Sequence, residues 1–209
     1  MNAWVRSSEF APPDDWVARF APVCDDVLYV PNFIVDPAPW MEALHRELAW
    51  DREAIVMFGR SVEVPRLTTW YGDDGVEYRY SNVTHRARRW PLRLVELRDR
   101  LHVAFGVRFN FVLANLYRGG GDSIGWHADD ERALGAHPVI ASISLGATRV
   151  LKFRARDDSR RRVSVQLEAG SLLLMWGRSQ RLWQHALPKV RADIGPRINL
   201  TFRCVHASS

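Results

Sequence analysis

Two histidines and an aspartate carry the chemistry this sequence points to most openly. His127 and Asp129 stand two positions apart in Trp126-His127-Ala128-Asp129, and His185 follows 58 residues on (185 − 127). Two imidazoles and one carboxylate in an H-x-D…H pattern form the facial triad that holds non-haem Fe(II) and leaves three coordination positions open. Such an ion can take an organic cosubstrate and O₂ together. H-x-D alone arises by chance in many chains, so the weight of the reading lies on what surrounds it.

Downstream, Arg197-Ile198-Asn199-Leu200-Thr201-Phe202-Arg203 alternates without a break. Arg197, Asn199, Thr201 and Arg203 share one face of a strand, while Ile198, Leu200 and Phe202 share the other. The polar face is donor-rich, and arginine can grip a carboxylate with two parallel hydrogen bonds. A solvated surface would explain the same alternation. Upstream, Asn115 and Tyr117 share a strand face and are separated from His127 by the flexible Gly119-Gly120-Gly121 turn. An amide and a phenol there could orient a carboxylate beside a metal.

These side chains need rigid elements to hold them. Residues 109–117, 138–145, 148–154, 162–168, 170–176, 183–187 and 197–204 read as strands, a succession that suggests a sandwich or jelly roll. Ahead of them, Asp36-Pro37 starts a helix with Trp40, Met41, Leu44 and Leu48 on one face. A second helix runs from Pro91 to Phe105, with Leu94, Leu97, Leu101 and Phe105 on one side and Gly106 as its stop. Residues 51–90 read as short strands and loops, and residues 1–26 as a loose arm. The fold class expected is mainly β with flanking helices (α+β). One unit spans 1–209, with an N-terminal helical layer over 1–107 and a β core over 108–205.

Composition narrows the function classes. The chain has 209 residues, nine tryptophans and a formal net charge of +5, which favours a polyanionic partner, nucleic acid first. Cys24 and Cys204 make neither a disulfide framework nor a zinc site; both are expected to pack in the interior. His45, His85, His102, His137 and His206 lack ligand partners at useful spacing and read as structural or surface residues. Residues 1–20 are polar and broken by Pro12 and Pro13, so no signal peptide is expected, and no apolar run is long enough to span a membrane. The expectation is a soluble monomer with no membrane association, in a reducing bacterial cytoplasm.

In order, the set is N-x-Y, H-x-D, H and R-x-N-x-T-x-R. Here the sequence resembles the AlkB family of Fe(II)- and 2-oxoglutarate-dependent dioxygenases over roughly residues 55–205. It is similar in particular to the animal homologue that repairs double-stranded DNA. Phe109-Asn110-Phe111-Val112-Leu113, His127-Ala128-Asp129-Asp130-Glu131 and Pro196 through Arg203 carry the likeness. The resemblance implies a double-stranded β-helix with an N-terminal nucleotide-recognition lid. It implies Fe(II) on His127, Asp129 and His185, and 2-oxoglutarate lined by Asn115, Tyr117, Asn199 and Thr201. Arg203 would pair with the distal carboxylate of 2-oxoglutarate, and Arg197 would sit near its metal-binding end or support Asp129. The implied reaction consumes O₂ and 2-oxoglutarate, gives succinate and CO₂, and hydroxylates an N-methyl group of 1-methyladenine or 3-methylcytosine type, which is lost as formaldehyde.

Those lesions lie on the pairing edge, so the nucleotide must be extruded or single-stranded. By resemblance, Phe58 is the finger that fills the vacated stack, and Tyr78 and Tyr80 sandwich the base with His127. Arg66 and Glu131 lie near the damaged base. The five arginines of residues 154–162 could contact phosphates or form an ordinary solvated hairpin tip. The basic cluster after His185 is thin, with Lys189 and Arg191 only, which weakens the same grip on a complementary strand. Alkylated DNA is the expected substrate. An RNA demethylase of the same chemistry, or a non-catalytic nucleic-acid-binding module on an oxygenase scaffold, are the alternatives.

Overall fold

The computed structural model describes residues 10–20, 22–57, 60–80 and 83–206. A short helix α1 (Asp14–Arg19) precedes strands β1 (Pro22–Cys24) and β2 (Val27–Val30), then helix α2 (Pro37–Glu47). Strands β3 (Asp51–Met57), β4 (Arg60–Gly72), β5 (Glu77–Tyr80), β6 (Val83–Arg86) and β7 (Arg88–Arg89) lead to helix α3 (Leu92–Phe105). Next come β8 (Phe111–Tyr117), β9 (Ile124–His127), a 3₁₀ turn (Arg132–Leu134), β10 (Ile140–Gly146), β11 (Arg149–Ala155) and β12 (Arg162–Leu167). The chain closes with β13 (Leu172–Met175), α4 (Ser179–Leu182), β14 (Trp183–Leu187) and β15 (Arg197–Arg203).

Among the described residues the strands form two facing sheets and a hairpin. The major sheet runs β1-β2-β13-β10-β15-β8-β4-β3, with β7 added beside β4. The minor sheet runs β12-β11-β14-β9, and β5 and β6 pair with each other. The result is the expected jelly roll with flanking helices. Strands from both parts of the chain share the major sheet, since β2 pairs with β13 and β4 with β8. No seam therefore runs at residue 107.

Helices α2 and α3 cover one face of the major sheet. The alternation of β15 explains why: Ile198, Leu200 and Phe202 turn toward the helices and join one cluster with Leu44, Leu94, Leu97, Leu101 and Phe105. Each such side chain, fully buried, contributes roughly 1.5–3 kcal/mol. Helix α3 stops where the sequence says, at Gly106, whose φ of 69° is left-handed. Asp36 occupies the N-cap position of α2, but its side chain makes no capping bond.

Two readings need correction, and one alternative falls away. The arm at 1–26 is not loose over residues 10–26. Trp16 packs edge-on against Phe105 at 4.8 Å, and β1 extends the major sheet. Between 51 and 90 the chain builds one 13-residue strand, β4, rather than only short pieces. The polar face of β15 is not solvated; all seven residues of that strand are buried. Cys24 and Cys204 are half-buried core neighbours, unpaired, with thiols pushed up to about 12, burial being the main cause. No described helix is long and apolar enough to cross a membrane.

Candidate functional site

The two sheets face each other across a cleft, and the polar face of β15 forms its floor. Strand β9 is the edge of the minor sheet, and its register is irregular: His185 pairs with His127 but Leu187 with Ile124. The extra residue on β9 is a bulge, a device that re-aims a side chain at a strand edge. It turns both Ile124 and His127 into the cleft, opposite His185. The two imidazole rings lie 4.3 Å apart, and Asp129 follows on the loop after β9. The ligand atoms of His127, Asp129 and His185 all lie within 4.8 Å of one another, the one such group among the described residues. The structure thus brings the three sequence candidates together.

Local bonds prepare each ligand. His127 Nδ1 lies 2.9 Å from the Gly125 carbonyl, which can only accept. That fixes the proton on Nδ1 and leaves Nε2, 3.9 Å from Asp129 Oδ1, free to bind a cation. The Asp129 backbone N–H donates to Gln180 Oε1 at 2.9 Å, and Arg203 Nη2 meets Asp129 Oδ1 at 3.0 Å. Burial pushes the Asp129 carboxyl up, but Arg203 and the two imidazoles outweigh it and hold the group at about 2. Burial, then the neighbouring His127, brings His185 down to about 3; burial lowers His127 as well. At neutral pH the site therefore presents two neutral imidazoles and one carboxylate, the protonation states a divalent cation requires.

The other end of the cleft is built from β8, β15 and β10. Asn115 and Tyr117 pair in register with Asn199 and Arg197. Asn199 Nδ2 donates to Ser142 Oγ at 2.7 Å, and Thr201 Oγ1 to Asn199 Oδ1 at 3.1 Å, so the wall is held by its own bonds. Arg197 is buried and donates from Nη2 to Ser144 Oγ at 2.9 Å. Its guanidinium carbon stands 5.3 Å from the Tyr117 ring centroid, and its Nε has no partner among the described residues. Burial lowers its pKa from 12.5 to about 10; the Tyr117 phenol opposes the fall, and no carboxylate among the described residues does. The contact with Asp129 weighed for Arg197 is made instead by Arg203, and no carboxylate among the described residues meets Arg197.

Among the expected base-contacting residues, Phe58 lies outside the described residues, as does the side chain of Tyr80. Tyr78 does not present a free ring. It is 0% exposed and packs between Trp70, Phe111 and the Arg203 guanidinium, so it supports the metal side from beneath. Arg66 is also buried; its Nε donates to Asn115 Oδ1 at 2.7 Å. Glu131 sits near Tyr78 and Asp129, its carboxyl pushed up by burial first and by the Asp129 charge second. The hairpin arginines are largely spoken for. Arg154 lies over Trp126, Arg156 pairs with Asp130, Arg160 with Asp158, and Arg161 with Asp157 and the Trp183 ring. Sequence reasoning missed Ser142, Ser144, Arg149 and Gln180. Only the two serines left a signal, as regularly spaced hydroxyls in an otherwise apolar strand.

A model of the 2OG-Fe(II) oxygenase superfamily matches residues 26–203. The human alpha-ketoglutarate-dependent dioxygenase alkB homolog 3 is 38% identical over 191 residues, 86% of this chain and 66% of that protein. The bovine DNA oxidative demethylase ALKBH2 is 43% identical over 156 residues, 71% of this chain and 56% of that protein. The chain belongs to the 2OG-Fe(II) oxygenase superfamily, among its AlkB homologues. The chain spans just under two thirds of the first of these curated relatives. In fold it is similar to the solved structure of OsALKBH1, with a TM-score of 0.61 at 16% identity, over 85% of this chain and 97% of that one. The donor set suits the AlkB cofactors: two imidazoles and a carboxylate for Fe(II), and a dehydrated, anion-free guanidinium for a dicarboxylic oxo acid.

Proposed function

We propose that this protein demethylates N-alkylated nucleic-acid bases oxidatively, with DNA as its principal substrate, through Fe(II) and 2-oxoglutarate. The observation that carries the reading is one cleft with a preformed His127/Asp129/His185 set at one end and the anion-free cation Arg197 at the other. When bound, the iron with 2-oxoglutarate and O₂ supplies the oxidising chemistry, coupling loss of CO₂ to hydroxylation of an N-methyl group that leaves as formaldehyde.

The residues of the chain do the rest. His127, Asp129 and His185 would hold the iron; Arg203 keeps Asp129 ionised and fixed. Arg197 takes the distal carboxylate of 2-oxoglutarate. Tyr117 stacks beside it, and Asn115, held by Arg66, shares the wall with Asn199 and Thr201. Glu131, close to the metal ligands, accepts from an exocyclic amine of the extruded base. Phe58 and Tyr80 belong to the N-terminal lid that handles the nucleotide. The apolar residues of the cleft, Leu113, Leu151 and Leu187 among them, exclude water from the reacting centre. The two unpaired thiols suit a reducing cytoplasm, where we place the protein as a monomer.

The test is a panel of methylated single-stranded DNA, duplex DNA and RNA incubated with Fe(II) and 2-oxoglutarate. Formaldehyde and succinate are expected in equal amounts, faster on DNA, and His127→Ala is expected to abolish both while sparing the fold. Faster turnover on RNA reassigns the substrate. Absence of turnover on every member, with iron bound, refutes the proposal.

A further inference from the structure

Arg149 is the first residue of β11, 3% exposed, and it does not line the cleft. Its guanidinium nevertheless gathers three backbone carbonyls from two separate loops. Nη1 donates to Gly119 O at 3.2 Å, and Nη2 donates to Asp122 O at 3.0 Å and Pro188 O at 2.6 Å. The Gly119–Asp122 turn joins β8, which carries Asn115 and Tyr117, to β9, which carries His127. Pro188 directly follows β14, which carries His185. The two loops also touch each other: Val190 N–H donates to Gly120 O at 2.9 Å, and a Cβ on Gly120 would come within 2.6 Å of Val190 O. That turn therefore needs glycine for close approach, and Arg149 pins it in place.

The same guanidinium lies 5.9 Å from the Tyr117 ring centroid, against 5.3 Å for Arg197. Two cations thus stand by one phenol ring. The nearby carboxylate of Asp122 is engaged by Arg118 through bonds of 2.8 and 2.9 Å, so Arg149 is held by neutral carbonyls rather than by a tight ion pair. A planar fork can bridge carbonyls on separate loops; an ammonium on a flexible stem cannot reproduce that geometry.

We infer that Arg149 is a positioning residue for cosubstrate binding, acting through Tyr117 and the two loops that close the Arg197 end of the cleft. The inference rests on the reading of that end as the 2-oxoglutarate site. A staple that merely held the fold together would, when cut, weaken the metal site and the cosubstrate site alike, because both ligand strands end at these loops. A positioning residue for Tyr117 and Arg197 moves cosubstrate affinity alone.

The experiment compares wild type, Arg149→Lys and Arg149→Gln, each alone and combined with Tyr117→Leu, which removes the ring. The readouts are Mn(II) affinity, the affinity for 2-oxoglutarate, the cosubstrate's Michaelis constant and the turnover rate at saturation. Loss of a side chain that orients a ligand-binding residue raises the cosubstrate's Michaelis constant about tenfold or more, with the saturated turnover rate kept within about twofold. Mn(II) affinity should stay unchanged, and Arg149→Lys should add little once Tyr117 is already Leu. Arg149→Gln keeps amide donors without the charge and should move the Michaelis constant in the same direction, which covers the case of one variant failing to fold. An unchanged Michaelis constant in both variants, a parallel fall in Mn(II) affinity, or additive effects with Tyr117→Leu would each overturn the inference while wild type still binds 2-oxoglutarate. Wild type that binds Mn(II) but no 2-oxoglutarate overturns the cosubstrate reading itself.

Discussion

Arg197→Met should separate stability from binding, with opposite signs. In the folded protein burial lowers the Arg197 pKa from 12.5 to about 10, which corresponds to about 3 kcal/mol against the charged form. At pH 7 both folded and unfolded states carry the charge, so this cost is present in full. It is relieved only as pH rises from about 10 toward 12.5, where the folded state binds fewer protons than the unfolded one. Methionine keeps much of the aliphatic packing and removes the cation, but forfeits the bond to Ser144 Oγ, worth about 1 kcal/mol. The net expectation is an apo protein unchanged or stabilised by up to about 2 kcal/mol. Cosubstrate binding should move the other way. Losing two charge-assisted hydrogen bonds to a carboxylate costs about 3–4 kcal/mol, a few hundredfold in 2-oxoglutarate affinity. Urea unfolding of the apo protein and titration of the Mn(II)-loaded protein with 2-oxoglutarate measure the two quantities. A variant destabilised by several kcal/mol, or one that binds 2-oxoglutarate as tightly as wild type, would contradict this account of Arg197.

Arg203→Met, on the same strand face, should behave in the reverse manner. It leaves the Asp129 carboxylate buried without its guanidinium, so the apo protein should lose about 3 kcal/mol in urea unfolding. Mn(II) should restore much of that loss by replacing the counter-charge; apo stability equal to wild type would rule out the pairing. Apo stability should also fall with acid. His185 drops from 6.5 to about 3 on folding, so the unfolded state binds more protons between those values. The resulting slope approaches about 1.4 kcal/mol per pH unit and is steepest between pH 6 and 4. A flat profile in urea unfolding at pH 7, 5.5 and 4 would show that the imidazole is not buried in its neutral form.

The parts of the site that were legible in the sequence are those whose meaning is local. His127, Asp129 and His185 declare themselves by residue type, and β15 by its period of two. Helix α3 shows its apolar stripe and its glycine stop. What was not legible depends on partners far along the chain. Strand β9 is four residues long, contains Gly125 and carries a bulge, so no periodicity marks it. Strand β4 hides behind Pro65 and the scattered charges of Arg60, Glu63 and Arg66. Tyr78 reads as an available aromatic ring, and only the packing of Trp70 and Phe111 around it shows that no face is left for a base. The arginines of 154–162 fit a phosphate grip or a solvated hairpin tip equally well in sequence, and their surface ion pairs with Asp130, Asp157 and Asp158 depend on folding. Arg149 and Gln180 have no sequence signature, because their role is set by carbonyls and an N–H from distant loops.

The two arginines of β15 show why residue type and spacing stop short of mechanism. They share a strand, a face and near-complete burial, and sequence assigns them to the site together but cannot divide the work. The division follows from which one meets a carboxylate. Asp129 reaches Arg203, whose pKa rises above its ordinary value, with Asp129 outweighing burial. No carboxylate among the described residues reaches Arg197, and its pKa falls. The metal half of the cleft is therefore electrostatically complete in the protein alone, with ligands oriented and correctly protonated. The cosubstrate half is not. The cost of drying its guanidinium has already been met by folding, so an incoming carboxylate loses its own water but need not strip the cation. On the proposed function, that asymmetry would place most of the affinity for a dicarboxylic oxo acid at its distal end, on Arg197, and would leave its other end free to change without loosening the grip.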